Sequence, residues 1–89
     1  MLIESKILYF YSNNCKVCKD IKSDIDEIAQ IIPILYVNND EKNNKQLSEQ
    51  FLVDYFPTIS ILTVENGILN YVGKKEIKEF ISLVKDTFQ

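Results

Sequence analysis

The chain has 89 residues, 46% of them apolar and 26% charged, with 10 lysines against 13 acidic residues for a net charge of −3. That length holds one hydrophobic core, so residues 1–89 read as a single domain, and the composition is that of a folded globule. The acidic balance argues against nucleic acid as a partner. The absence of histidine excludes Ser-His and Cys-His catalytic pairs and every His-ligated metal site. No apolar run approaches the roughly 20 residues that cross a bilayer. The N-terminus, Met1-Leu-Ile-Glu-Ser-Lys6, lacks the basic start, sustained apolar segment and cleavage site of an export signal. The expectation is a cytoplasmic, monomeric protein that engages no membrane.

Lys6–Ser12, Lys-Ile-Leu-Tyr-Phe-Tyr-Ser, is rich in β-formers and predicts a buried strand. Val17, Ile21, Ile25, Ile28 and Ile32 follow at spacings of four, four, three and four, one face of a helix that Pro33 ends. Asp20, Asp24, Asp26 and Glu27 form an acidic flank on that helix, read as a wet surface. Ile34–Val37 predicts a second strand, closed by Asn38-Asn39-Asp40, and a second helix is expected from about Asn43 to Leu52, with Leu47 and Phe51 inward. Thr58–Val64 and Ile68–Val72 read as a hairpin around Asn66-Gly67, the strongest short hairpin signal. Gly73 breaks the pattern, and Ile77, Phe80, Ile81, Val84 and Phe88 mark a terminal helix. The order β-α-β-α-β-β-α predicts an α/β fold: a mixed four-stranded sheet flanked by three helices, its first two strands parallel through a right-handed crossover.

The only two cysteines, Cys15 and Cys18, fall between the first strand and the first helix. A bond closing so short a loop restrains little of the unfolded chain, so the pair is poorly placed as a structural staple. A helix N-terminus presents free N–H groups and partial positive charge, which favour a thiolate at Cys15; thiols so placed in CxxC motifs have pKa values of roughly 3.5–7.5, against about 8.5 when free. Residues three apart at a helix start share a face, so Cys18 can attack a mixed disulfide formed at Cys15. Cys15 is expected to be the exposed sulfur and Cys18 the shielded one. Lys16 and Lys19 add screened positive charge. Two other readings stand beside this one. The cysteines could be small buried hydrophobes. A zinc site needs four ligands, so a metal or iron–sulfur reading requires a dimer that pools two pairs. Asn14 is the expected N-cap, Asn13 a loop-shaping residue and Thr58 a strand opener.

Four stretches carry a resemblance to the thioredoxin superfamily over nearly the whole chain: Phe10-Tyr-Ser-Asn-Asn-Cys15-Lys-Val-Cys18-Lys19, Val37-Asn-Asn-Asp40, Val53-Asp-Tyr-Phe-Pro-Thr58, and Glu65-Asn-Gly67 with Tyr71-Val-Gly73 before a terminal amphipathic helix. The resemblance implies a thioredoxin-like fold that lacks the family's N-terminal strand and helix. It implies a cis Phe56–Pro57 peptide facing the cysteines, and a substrate segment paired with the backbone of Phe56. It further implies that Asn14, Lys16 and Val17, in and beside the CxxC motif, tune the reduction potential, and that Tyr9 stands where full-length thioredoxins carry a buried acid.

The function so implied is dithiol reduction of protein disulfides, with Cys15 as nucleophile, Cys18 resolving, and Phe56, Pro57, Tyr11 and Tyr55 contacting substrate. The only redox group would be the Cys15–Cys18 disulfide, with no metal or other cofactor, and the partners would be disulfide-containing proteins and an upstream reductase or dithiol donor. Two alternatives remain. A glutathione-dependent, glutaredoxin-like enzyme suits the size, but Gly73 is followed by Lys74-Lys75, which would repel glutathione's ammonium. A redox-inert binding domain could use Tyr11, Tyr55 and Phe56 as aromatic contacts.

Overall fold

The computed structural model describes residues 5–88; Met1–Glu4, read above for a targeting signal, and Gln89 lie outside the described residues. The chain runs β1 (Ser5–Tyr11), α1 (Lys16–Ala29), β2 (Leu35–Asn38), a 3₁₀ turn (Lys42–Asn44), α2 (Lys45–Gln50), β3 (Thr58–Thr63), β4 (Gly67–Val72) and α3 (Gly73–Phe88). The four strands form one sheet in the order β2-β1-β3-β4. β1 is parallel to β2, with Leu8 opposite Leu35 and Phe10 opposite Val37, as the crossover through α1 requires. β1 is antiparallel to β3, and β3 to β4. The expected order and architecture stand.

Alternation along β1 divides the interior into two clusters. Tyr9 faces a cluster built with Ile21, Ile25 and Ile28 of α1 and Ile77, Phe80, Ile81 and Val84 of α3. Leu8 and Phe10 face the opposite side, where Val37, Phe51 and Val53 join them. The apolar face read from the spacing on α1 is the face that is buried. The second cluster has only the short α2 and its flanking loops above it, and beside it lies a hollow of about 560 Å³ lined by Leu8, Leu35, Leu47, Phe51 and Leu62.

Several boundaries differ from the sequence reading. α1 ends at Ala29, not beside Pro33. The amides of Ile31 and Ile32 both bond to the Ile28 carbonyl, so a tight turn carries these two side chains onto the first cluster. The second helix is shorter than expected and opens as a 3₁₀ turn; Leu52, given as its last residue, has a φ of 59°, which no right-handed helix accommodates. The hairpin loop spans Val64–Asn66, with Thr63 opposite Gly67. Gly67 has a φ of 68°, so its role is the left-handed exit of a three-residue loop, not the second position of a two-residue one. Gly73 is the first residue of α3. Its φ of 86° turns the chain from β4 straight into the helix, a conformation glycine alone adopts cheaply.

Candidate active site at the start of the first helix

The Phe10–Thr58 and Thr58–Val72 pairs bring the C-terminal ends of β1 and β4 and the N-terminal end of β3 to one edge of the sheet. Parallel pairing places the end of β2 there as well. The loop after β1, which leads into the first turn of α1, the loop before β3 and the start of α3 therefore lie at the same edge of the sheet.

Cys15 and Cys18 are joined as a disulfide, with their Cα atoms 5.2 Å apart. Cys15 is half-buried and Cys18 is 4% exposed, so the expected division into a reachable and a shielded sulfur holds. Cys15, not Asn14, is the N-cap of α1: its φ and ψ are extended, and the backbone N–H of Cys18 donates to its Sγ at 3.0 Å. The sulfur sits where a serine or aspartate oxygen usually caps a helix. A thiolate at that position would accept the same N–H, and a hydrogen bond to the charged form favours that form. Asn14, Lys16 and Lys19 are exposed and Val17 is half-buried.

The loop before Cys15 is held by a residue the sequence reading did not single out. Asp40, just past β2, accepts from the Ser12 hydroxyl at 2.9 Å and from the Asn13 backbone N–H at 2.7 Å. Asn38 donates its side-chain amide to Asn13 Oδ1 at 3.0 Å, and the Asn39 N–H bonds to the Tyr11 carbonyl at 2.8 Å. Asn13 shapes the loop as expected. Asp40 was visible only as a turn residue, because its partners lie 27 and 28 positions away.

Phe56–Pro57 is a cis peptide, and Pro57 is buried. The Pro57 carbonyl accepts the Gly73 N–H at 2.9 Å, tying this loop to the start of α3. Among the described residues, neither the N–H nor the C=O of Phe56 takes part in a backbone hydrogen bond. Thr58 donates its hydroxyl to the Tyr55 carbonyl at 2.6 Å, a service to the backbone. Tyr55 is 59% exposed, Phe56 packs against the α2-side cluster, and Tyr11 packs against the cluster on the other face.

Behind Cys18, the Tyr9 hydroxyl donates to the Cys18 carbonyl at 3.4 Å. Burial, reinforced by the neighbouring Tyr11 and the Asp26 carboxylate, pushes the Tyr9 phenol up to about 12. Tyr36 donates to Asp26; burial first, and then this hydrogen bond, raises the Tyr36 phenol. Hydrogen bonds from Lys22 and Tyr36 hold the Asp26 carboxyl below its ordinary value. The acidic flank of α1 is thus only partly free surface: Asp26 is tied to Lys22 and Tyr36, and Glu27 pairs with Lys85.

The thioredoxin family model matches residues 3–86. The chain belongs to the thioredoxin family. Thioredoxin O2 from Arabidopsis thaliana, in its oxidized state, is a structural neighbour with a TM-score of 0.74 at 19% identity, over 96% of this chain and 76% of that one. Thioredoxin f2 from Chlamydomonas reinhardtii gives 0.74 at 22% identity, over 98% and 82%. Thioredoxin f2 in complex with ferredoxin:thioredoxin reductase gives 0.72 at 17%, over 97% and 79%. At such identities the shared property is the fold. No curated protein matches the chain. Thioredoxin-family proteins are disulfide oxidoreductases, and this chain carries the CxxC-type disulfide. Among the described residues no group of three or more His, Cys, Asp or Glu is placed to hold a metal ion.

Proposed function

We propose that this protein is a cytosolic thiol–disulfide oxidoreductase that reduces protein disulfides with both cysteines. The observation that carries the reading is the Cys15–Cys18 bond at the N-terminus of α1, with Cys15 half-buried, Cys18 covered and an N–H aimed at Cys15 Sγ.

In the reduced state the Cys15 thiolate attacks one sulfur of a substrate disulfide. The substrate S–S bond breaks, one substrate thiolate leaves and takes a proton, and a mixed disulfide forms at Cys15. Cys18, having given up its proton, then attacks Cys15 Sγ. The second substrate thiolate departs, and two electrons have passed to the substrate while the protein is left with the Cys15–Cys18 bond. An upstream dithiol or reductase returns it to the reduced state; thioredoxin f2, a neighbour in fold, has been captured with such a reductase. The unpaired backbone of Phe56, beside Pro57 at the same sheet edge, suits an extended substrate segment that adds its own hydrogen bonds. Tyr55 is exposed to flank it. α3 opens on the exposed Lys74 and Lys75, a poor seat for glutathione's ammonium.

Insulin reduction tests this directly. Cys15→Ser abolishes turnover. Cys18→Ser leaves a stable protein–substrate mixed disulfide, seen as a mass adduct that dithiothreitol removes. Turnover by Cys15→Ser at the wild-type rate would refute the assignment.

A further inference from the structure

The two edges of the sheet, β2 and β4, are finished differently. The outer side of β2 is crossed by the chain that follows it: the Asn38 carbonyl accepts the Glu41 N–H at 3.2 Å and the Asn44 side-chain amide at 3.0 Å. At the end of β4 the Gly73 N–H points inward to the Pro57 carbonyl, and the Val72 N–H points outward to Glu76 Oε1 at 2.8 Å. Backbone groups alternate in direction along an antiparallel strand. Ile68 and Asn70 therefore also point outward, and among the described residues no backbone group meets them there. The strand, Gly-Ile-Leu-Asn-Tyr-Val, carries no charge and no proline, and its register with β3 runs unbroken from Gly67 to Val72. Charged side chains, proline and bulges are what keep an edge strand from pairing, and β4 has none of them. Its Leu69 is 53% exposed and its Ile68 38%.

The free groups select both a register and an occupant. Glu76 takes the edge at Val72, so an added strand can use only Ile68 and Asn70. An antiparallel copy of β4, with a two-fold axis at Leu69, sets Ile68 of each copy against Asn70 of the other. Each such pair exchanges two N–H···O bonds, and the two Leu69 side chains meet on the face that also carries Tyr71. The charges flanking the strand agree with this arrangement. Glu65 precedes β4, while Lys74, Lys75 and Glu76 follow it; all four are exposed. Glu65, Lys74 and Lys75 form no ion pair among the described residues. One end of β4 is thus flanked by a negative charge and the other by a net positive one. A two-fold axis lays each end on its opposite, which a second copy achieves by symmetry. Six residues at about 3.4 Å each make a seam roughly 20 Å long. That falls short of the roughly 1,600 Å² buried by a standard stable interface, and places the contact in the weak class.

We propose that β4 is the interface of a weak, two-fold homodimer, in which two four-stranded sheets join into one of eight strands with Leu69 on the axis. At micromolar concentration the chain is the monomer expected from its sequence; at several hundred micromolar it pairs. Val72 lies opposite Thr58, so antiparallel pairing sends the C-terminal ends of the two β4 strands, and the sheet edges at which they finish, to opposite ends of the joined sheet. The inference does not depend on the dithiol reading above.

Sedimentation equilibrium from about 10 μM to about 1 mM tests the assembly. The mass is expected to start at the monomer and rise toward the dimer and no further, with half the chains paired at about 0.3 mM, on the order of a weak contact. Amide exchange followed by NMR tests the edge without any variant. The Ile68 and Asn70 amides should exchange about threefold more slowly at about 1 mM than at about 20 μM, as expected when roughly two thirds of the chains are paired. The Leu69 and Tyr71 amides, which point toward β3, should not change. Leu69→Lys sets like charges against each other on the axis and should leave the protein monomeric throughout; circular dichroism checks that this exposed substitution keeps the fold. Glu65→Lys should raise the concentration needed for pairing by about fivefold, the scale of a lost exposed ion pair at each end. A monomer mass constant to about 1 mM overturns the proposal. So does a dimer that survives Leu69→Lys, or exchange at Ile68 and Asn70 that ignores concentration. Growth beyond the dimer overturns the two-fold arrangement, and pairing unaffected by Glu65→Lys overturns the register.

Discussion

Replacing Tyr9 by Phe removes one oxygen from the wall behind Cys18 and leaves the ring in place. The Tyr9 phenol is pushed from 10.0 up to about 12, so ionisation is easier in the unfolded chain than in the folded one. The stability tied to this group is complete below pH 10 and is lost as pH rises from 10 through 12. Two units at 1.36 kcal/mol each correspond to about 2.7 kcal/mol in the limit, and about 1.4 kcal/mol is already gone at pH 11. At pH 7 the substitution costs only the long hydrogen bond to the Cys18 carbonyl, 3.4 Å, worth about 0.5 kcal/mol. The two proteins should therefore change rank. Wild type is slightly more stable at pH 7, and Tyr9→Phe is more stable at pH 11 by about 0.9 kcal/mol, or close to 1 M in urea midpoint for a domain of this size. Lysine titration is common to both proteins and cancels in the comparison; the raised Tyr36 phenol cancels except for the part that Tyr9 itself contributes. Urea melts at the two pH values decide the matter. An equal difference between wild type and Tyr9→Phe at both would show that the phenol titrates alike folded and unfolded.

Ile25→Ala empties a fully buried site between α1, α3 and the sheet and should cost about 3 kcal/mol in urea unfolding. Gly67→Ala meets no atom within 4 Å, yet its φ of 68° should lower stability by about 1 kcal/mol through backbone strain alone. Asp40→Asn weakens two charge-assisted hydrogen bonds to the loop before Cys15; we expect a loss of about 1–2 kcal/mol and faster amide exchange at Asn13 than at buried Phe10. Unchanged exchange at Asn13 would mean that the loop holds itself.

Much of this structure was legible in the residues. The isoleucine spacing on α1 found both the helix and its buried face, and the β-rich runs found all four strands. What single-sequence patterns missed depends on contacts across the fold. Periodicity continues through Ile31 and Ile32 because a turn delivers them to the same cluster, so the end of α1 was overread. The Asn-Gly signal located the hairpin but not its register, since glycine's positive φ serves a three-residue loop equally well. At the site, the cysteine spacing pointed to thiol–disulfide chemistry, while the cis bond at Pro57 was implied only by the resemblance to the thioredoxin superfamily. Asp40 escaped because its partners, Ser12 and Asn13, sit in the loop after β1, and no local pattern announces a partner nearly thirty positions away.

β1 is made first, yet its pairing with β3 joins Leu8 to Ser60 and Phe10 to Thr58, the last third of the chain. Closing loops of this length must precede the contacts that reward it. A nascent chain that has already released Cys15 and Cys18 still lacks the strand that pairs with β1 on the side away from β2. The two thiols therefore leave the ribosome before the sheet edge on which they sit is complete.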